Sequence, residues 1–479
     1  MPTARRPWLF LLPLALFLLL VCSELVERSM YTDGVAYAGL SLNLAEGRGT
    51  FWSPKLSEVH HVSFREHPPL VFGIQSLFFR LFGNGIVTER LYALFVFLLS
   101  AGGLVLLWRE LLRGRPAVRR LWWLPLTLWL ANEVVYHFYP ANVLEPTMTL
   151  FLLAAVGAGL RALRPGTPPG PQFALAAVAG LLVFGGTLCK GFVALFPLAL
   201  FGIHWVVFRR WPPGRVVLLA LVATAAVGLA YAVLLQHAPA REALERYFDT
   251  QVMASISGER SHERHFRDSR FYIIEKALLI GLPAAAVALL LWGLSHRWAR
   301  ARPEGAPCRR AGLLCWLLGA AASFPLAVSP KQSIYYLLPS MAFFALGYAL
   351  VAAPAAAALL ERPRAPRTTR LINGLLVLLV LGGLANTYRH WGEVVRRDEV
   401  TLTDIEKLNT VLPWGATVGS AGNIESLVSY AYRTHRVSID TVAANRLRYD
   451  FVVAPRRAPA LDLPEVELGL REYVLYRND

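Results

Sequence analysis

VTERLYALFVFLLSAGGLVLL, residues 87–107, is followed almost at once by RELLRGRPAVRR, residues 109–120. The first string is 21 residues long, with its charges confined to Glu89 and Arg90 at the start. A helix rises about 1.5 Å per residue, so such a run crosses the hydrocarbon core of a bilayer. The second string carries five arginines, the mark of a loop kept on the cytoplasmic side. The same alternation repeats along the chain. Apolar runs stand at 8–22, 87–107, 121–136, 144–160, 173–188, 192–208, 216–235, 271–294, 313–328, 334–353 and 371–385, giving eleven expected transmembrane spans. The pair that flanks Cys189-Lys190-Gly191 also reads as one long tilted helix.

Composition agrees. Of 479 residues, 55% are hydrophobic and 17% charged, against about 25% charged in soluble domains. The net charge of +16 would suggest nucleic acid in a soluble chain. Here the basic residues lie in short loops, where they set topology and meet anionic head groups, and no basic-aromatic domain accompanies them. Cys22, Cys189, Cys308 and Cys315 fit neither a zinc pattern nor a disulfide framework. No A-x-A-like cleavage site follows the run 8–22, so it is expected to remain as the first span, with Arg5 and Arg6 in the cytoplasm.

Counting spans from there puts the basic segments near 109–120, 161–164, 209–215, 297–310 and 362–370 on the side of Arg5 and Arg6. Three larger pieces fall outside, at 23–86, 236–270 and 386–479. The expected architecture is an α-helical polytopic membrane protein with interfacial helices in the first outer loop. A membrane-embedded domain covers 1–385 and a small α/β domain 386–479. In the tail, 404–412 reads as helix, and 416–420, 436–439, 451–454 and 473–476 as short strands. No internal repeat is found, which speaks against an inverted-repeat transporter.

The first outer piece holds Asp33 at the start of an amphipathic helix, where it suits an N-cap as well as chemistry at the membrane surface. Pro68-Pro69 forces an extended entry and starts a helix at 70–82 that is too short to span and suits the interface plane. His60, His61, Glu66 and His67 match no strong metal spacing, and no metal is expected to be required. Glu145, before Pro146 at the outer start of a span, reads either as favourable charge at a helix N-terminus or as a second acceptor-side carboxylate.

Tyr31-Thr-Asp33, a Tyr37-Ala helix ending at Gly47, Trp52-Ser-Pro54, Glu66-His-Pro-Pro-Leu70, Phe82-Gly83 and Glu89-Arg90 follow one another in order. Cys189-Lys190-Gly191 and Ser329-Pro-Lys331-Gln-Ser-Ile-Tyr335-Tyr336-Leu-Leu-Pro339 come later. In sequence and placement this set resembles the membrane-embedded C-type glycosyltransferases. The nearest subgroup is the protein O-mannosyltransferase-like family with the lipid A aminoarabinose transferases. The resemblance spans about residues 8 to 385 and implies inverting transfer of a sugar from a polyprenyl-phosphate donor to an acceptor hydroxyl. It makes Asp33 the catalytic carboxylate; Tyr37, Glu66 and Glu145 are the acceptor-side candidates. Two positions depart from the family pattern. Many members carry a second carboxylate after the aspartate, where this chain has Gly34, and some carry lysine where it has His67.

Chemistry points the same way. Every candidate polar group is expected on the outer side, where soluble nucleotide sugars are absent and a lipid-linked donor serves instead. Its leaving phosphate needs cations around it. Lys190, Arg260, Arg264, Arg267, Arg270, Lys331 and His67 are the candidates, with Tyr336 beside them. Lys190 also reads as a snorkelling turn lysine, and the arginines as a solvated mixed-charge loop. The acceptor is a lipid, a glycan or a protein hydroxyl, the membrane lipids are further partners, and nucleic acid is not expected. The setting is the inner (plasma) membrane, with the N-terminus cytoplasmic and the tail outside. A flippase of lipid-linked sugars would need charges at the membrane midplane, whereas these cluster at span ends. The residues also leave room for a non-catalytic envelope scaffold, and for a polysaccharide polymerase or ligase.

Overall fold

The structure is a computed structural model that describes residues 7–257, 269–299, 304–362, 365–422 and 424–478. It is mostly helical. Among the described residues, seven helices are long and apolar enough to cross a membrane: Ile86–Leu111, Pro169–Lys190, Pro213–Leu234, Tyr272–Gly293, Gly305–Val328, Ile334–Glu361 and Pro366–Arg389. Each matches one of the expected spans.

The other four expected spans are helical too, and shorter or broken. The first is the apolar helix Leu11–Leu25, widened to a π-turn over Phe17–Cys22. There Asn386 and Thr387 donate side-chain hydrogen bonds to the carbonyls of Leu19 and Leu18. The expected span 121–136 is two helices, Trp123–Leu130 and Glu133–Phe138. Asn132 separates them because its side chain caps the second, accepting from Val134 N at 3.1 Å. The span expected at 144–160 is Glu145–Ala162. Past Gly191, Phe192–Ala199 is a 3₁₀ helix that passes into the α-helix Leu200–Phe208. The chain therefore breaks at Gly191 instead of running through as one tilted helix.

Contacts divide the chain into two compact units. The first comprises 1–24, 94–140 and 144–389; the second comprises 25–93, 141–143 and 390–479. The first unit is a bundle built on close helix approach. A Cβ at Gly180 would lie 2.1 Å from the carbonyl oxygen of Ala223, and one at Gly347 would lie 2.3 Å from the Trp316 ring. Small residues at such crossings let backbones approach where apolar burial gives no drive, as in lipid. The helix Leu338–Glu361 is buried along most of its length. By contrast Leu371, Leu375 and Leu378 are exposed on one face of Pro366–Arg389, as are Leu221, Leu229 and Val233 on Pro213–Leu234. Rows of exposed leucine and valine are unfavourable in water and at home in hydrocarbon.

The second unit holds the helix Thr32–Ala45, a small hairpin of β1 (Gly49–Thr50) and β2 (Ser53–Pro54), and the helix Leu70–Phe82. Leu70–Phe82 buries Val71, Phe72, Gln75, Ser76 and Phe79 and leaves Leu77, Leu81 and Phe82 exposed, as an interfacial helix would. Its remaining strands are β3 (Thr417–Ser420), β4 (Ser438–Asp440), β5 (Phe451–Pro455) and β6 (Tyr473–Arg477). They form one sheet in the order β4-β3-β5-β6, with β3 parallel to β4 and β5, and β6 antiparallel to β5. The helix Arg396–Leu408 begins well before its expected start, and Glu425–His435 is a helix that the sequence pattern did not announce. Leu402, Ile405, Leu427, Val428, Ile439, Val453 and Leu475 form the core of this unit, and Met30 and Val35 from the first outer piece pack into it. Asp404 is fully buried there and accepts from the backbone N–H groups of Arg471, Glu472 and Tyr473 at 2.8–3.2 Å.

Candidate active site

In the second unit, Tyr31 is extended and Thr32 begins the helix, so Asp33 stands in its first turn. The N-cap position is Tyr31, and no side-chain capping bond is made there. Asp33 is thus not the cap its sequence position suggested. Its side chain belongs instead to the positive end of the helix dipole, where an acidic residue is stabilising.

Gly34 is packed against backbone. A Cβ there would lie 1.9 Å from the carbonyl oxygen of Ala141 and 3.1 Å from the Met30 sulfur. A carboxylate in place of Gly34 has no room here. Asn142, left-handed at φ 57°, donates to the Gly34 carbonyl at 2.9 Å. Gln75 Nε2 donates to Asn142 Oδ1 at 2.7 Å, and Ser41 Oγ donates to Gln75 Oε1 at 2.8 Å. All three side chains are buried. Buried polar groups require partners, and this chain of bonds fastens the turn that carries Asp33. Neither Gln75 nor Asn142 stood out as a site residue in the sequence. The available signal was a polar side chain inside an apolar helix.

Tyr37, one turn on, is buried among Phe64, His67 and Phe72, its ring centroid 6.0 Å from that of His67. Glu66 Oε1 lies 3.9 Å from Nδ1 of His61. Burial lowers the His61 pKa. Burial, and then the neighbouring His61, hold His60 at about 4 against the opposing pull of Glu66 and Asp440, so its ring is neutral at pH 7. Among the described residues no three His, Cys, Asp or Glu side chains form a group that could hold a metal.

In the first unit, Lys190 ends the helix Pro169–Lys190, where a cation suits the helix dipole. Gly191 follows at φ 87°, and a Cβ there would lie 1.9 Å from the hydroxyl of Tyr247, so only glycine fits the turn. That hydroxyl donates to the Lys190 carbonyl at 3.2 Å. The Lys190 ammonium forms an ion pair with Glu145 and lies 4.9 and 4.4 Å from the ring centroids of Tyr335 and Tyr336. The side chains are 11% and 1% exposed for Lys190 and Glu145. The structure therefore brings Lys190, Glu145 and Tyr336 together. Glu145, expected beside the acceptor, is bound to the expected phosphate ligand. Tyr335, Tyr247 and Gln332 did not stand out as site residues in the sequence.

Gln332 ties the next two cations to one place. It accepts from Ile273 N at 2.8 Å and donates to the carbonyls of Arg270 and Ser329, each at 2.8 Å. The backbone of Arg270 is thereby fixed beside the turn that carries Lys331. Arg260, Arg264 and Arg267 lie outside the described residues.

No protein-family model and no curated protein matches the sequence. Solved structures do. ArnT from Cupriavidus metallidurans bound to undecaprenyl phosphate superposes with a TM-score of 0.63 at 18% identity, over 97% of this chain and 96% of that one. Its apo state gives 0.65 at 16% identity, over 96% of each chain. The archaeal oligosaccharyltransferase AglB from Archaeoglobus fulgidus, in complex with an inhibitory peptide and a dolichol-phosphate, gives 0.50 at 13% identity, over 93% of this chain and 69% of that one. Across nearly its whole length, this chain has the fold of ArnT, the lipid A aminoarabinose transferase that stands in the subgroup its motifs resemble.

Proposed function

We propose that the chain is an inverting glycosyltransferase of the inner membrane. It moves a sugar from a polyprenyl-phosphate donor to a hydroxyl on a lipid, glycan or protein at the outer face. Asp33 is the general base. It takes the acceptor proton as the acceptor oxygen attacks the anomeric carbon from the side opposite the phosphate. The bond from that carbon to the phosphate oxygen breaks, the configuration inverts, and polyprenyl phosphate leaves with the electron pair. Tyr37 and Glu66 belong to the acceptor side. Lys190, with Lys331, Arg270, Tyr336, His67 and the arginines Arg260 and Arg264, belongs to the donor phosphate.

The observation that carries this reading is the nearly buried ammonium of Lys190, paired with buried Glu145. Taking a lysine and a glutamate out of water is expensive, and well-packed apolar residues in their place are often more stable. A buried pair at a helix end, boxed by tyrosines, is expected where charge must be met during a reaction. Glu145 then holds Lys190 in place rather than serving the acceptor, which revises its assignment. The whole-length fold likeness to ArnT, whose structure holds undecaprenyl phosphate, supports the choice of donor.

The test is binding of polyprenyl phosphate to the full chain in nanodiscs. Lys190→Met paired with Glu145→Gln removes both charges without stranding one. The double variant should weaken binding by about 1.5–3 kcal/mol, the worth of a charge-assisted hydrogen bond. Unchanged binding would remove Lys190 from the donor site.

A further inference from the structure

The second unit contains a cleft that the transfer chemistry does not use. It has a volume of about 240 Å³ and is lined by Arg48, Glu58, Trp414, Tyr432, Arg436 and Ser438. Its floor is rigid. Arg436 donates to Asn43 Oδ1 at 2.6 Å and to Glu46 at 2.5 Å, and the Tyr432 hydroxyl donates to the same Asn43 oxygen at 3.0 Å. Asn43 in turn donates to the carbonyls of Lys55 and Leu56, each at 2.7 Å. Arg436 holds a left-handed backbone, φ 58°, at a helix end where glycine is usual. Its side chain is thus kept at some conformational expense. The rim is different. Trp414 is 64% exposed, and its indole is braced edge-on by His435, ring centroids 5.1 Å apart. Nothing in the fold of this unit requires so large an apolar ring in water.

The charges here are of both signs. Arg48 and Arg436 pair with Glu46, at 3.6 and 2.5 Å, and Lys55 pairs with Glu58 at 2.5 Å. Such a site selects neither a bare anion nor a bare cation. It offers the donors of Arg48 and the acceptors of Glu58 beside an exposed aromatic face, over a floor held by hydrogen bonds. A sugar ring matches all three, since its hydroxyls both give and accept hydrogen bonds and its C–H face packs on an indole. A fixed floor adds affinity because less is ordered on binding.

The position of the cleft adds a second point. Asn43 and Glu46 lie at the C-terminal end of the helix Thr32–Ala45, and Asp33 lies in its first turn. The rise of a helix puts these ends about 20 Å apart. One sugar cannot touch both, whereas an oligosaccharide of several units reaches from one to the other. We infer that the cleft is a saccharide-binding site that holds a sugar remote from the one transferred, which makes an extended glycan the acceptor. The acceptor part rests on the function proposed above. Binding in the cleft does not.

The experiment probes a glycan array with the full chain in labelled nanodiscs, as wild type, Trp414→Ala, Glu58→Gln and Asp33→Asn. Wild type should retain a set of glycans above the empty-nanodisc background. Trp414→Ala should lose about tenfold in apparent affinity for them, the scale of one aromatic contact plus its packing. Glu58→Gln should weaken it, and Asp33→Asn, assayed for transfer beside the array, tests the role of Asp33 separately. Trp414 is exposed, so its loss should leave the unfolding midpoint unchanged, and Trp414→Phe should recover part of the binding. The inference is overturned if no glycan is retained, or if retention ignores Trp414→Ala. Retention confined to phosphorylated or sulfated glycans and abolished by salt also overturns it, since that is an anion site on the two arginines. Glycan binding that survives while Asp33→Asn transfers normally would leave the cleft standing and sink the role given to Asp33.

Discussion

Replacing Asp33 with asparagine keeps the shape of the side chain and removes its basicity. Transfer should fall by about 10²–10⁴-fold, the usual contribution of a general base. Because Tyr31 holds the cap position, Asp33→Ala forfeits no cap. Both substitutions should forfeit the helix-dipole contribution, about 0.3–1 kcal/mol. Equal folding with unequal catalysis, read by unfolding in detergent beside a transfer assay, separates the two roles. Gly34 makes a steric prediction. Gly34→Ala drives a methyl group into the Ala141 carbonyl and should destabilise the second unit by about 1–3 kcal/mol, as overpacking does. Gly34→Asp should be worse, because its side chain is larger still. Asp404 is the structural counterpart of Asp33. Its carboxylate accepts three backbone N–H groups in a buried site, so Asp404→Asn should cost about 1.5–3 kcal/mol in unfolding free energy without touching transfer chemistry. Asp33 drew attention in the sequence because its neighbours form an ordered motif. Asp404 was not, because nothing local marks a carboxylate whose partners lie some seventy residues on.

Elements were legible where periodicity was long. The seven longest apolar helices appear where apolar run length put them, since only a helix satisfies its own backbone in lipid. The break at Asn132 was missed because a single capping side chain outweighed a run that remains apolar on both sides. The helix Glu425–His435 was missed because Leu427, Val428 and Ala431 are few, and Arg433 and the capping Arg436 follow close behind them. Those arginines are not solvated: Arg433 pairs with buried Glu89 at 2.6 Å and Arg436 with Glu46. Such partners are hundreds of positions away and leave no local trace. The segment around His60 and His61 carries a pH prediction. His60 is neutral when folded, down to about pH 4, whereas an unfolded chain protonates it near pH 6.5. Between these values the unfolded state binds more protons, so stability is present above about pH 6.5 and falls as the pH drops toward 4. Thermal unfolding across that range should show the loss, and His60→Gln should flatten it. An equal slope in the variant would assign the acid sensitivity to other groups.

At the scale of the whole molecule, the chain is a multi-pass membrane protein with the ArnT fold, and the order of motifs in the sequence pointed there. The packing of the first outer piece with the tail was not legible, since Met30 and Val35 enter a core built almost entirely from residues beyond 400. Six basic segments on one side of the span count, the N-terminal pair included, predict their orientation. A reporter that works only in the cytoplasm should be active when fused near residue 310 and silent when fused after Leu412. Activity after Leu412 would shift the count by one span and place the Asp33 helix in the cytoplasm. We propose that this chain transfers a sugar from a polyprenyl-phosphate donor by means of Asp33. The most direct measurement is mass spectrometry of envelope lipids, glycans and glycoproteins from the native host, with the wild-type chain replaced by Asp33→Asn at equal membrane abundance. One product should lose a single glycosyl increment while the matching polyprenyl-phosphate sugar accumulates. Spectra identical to wild type would contradict it.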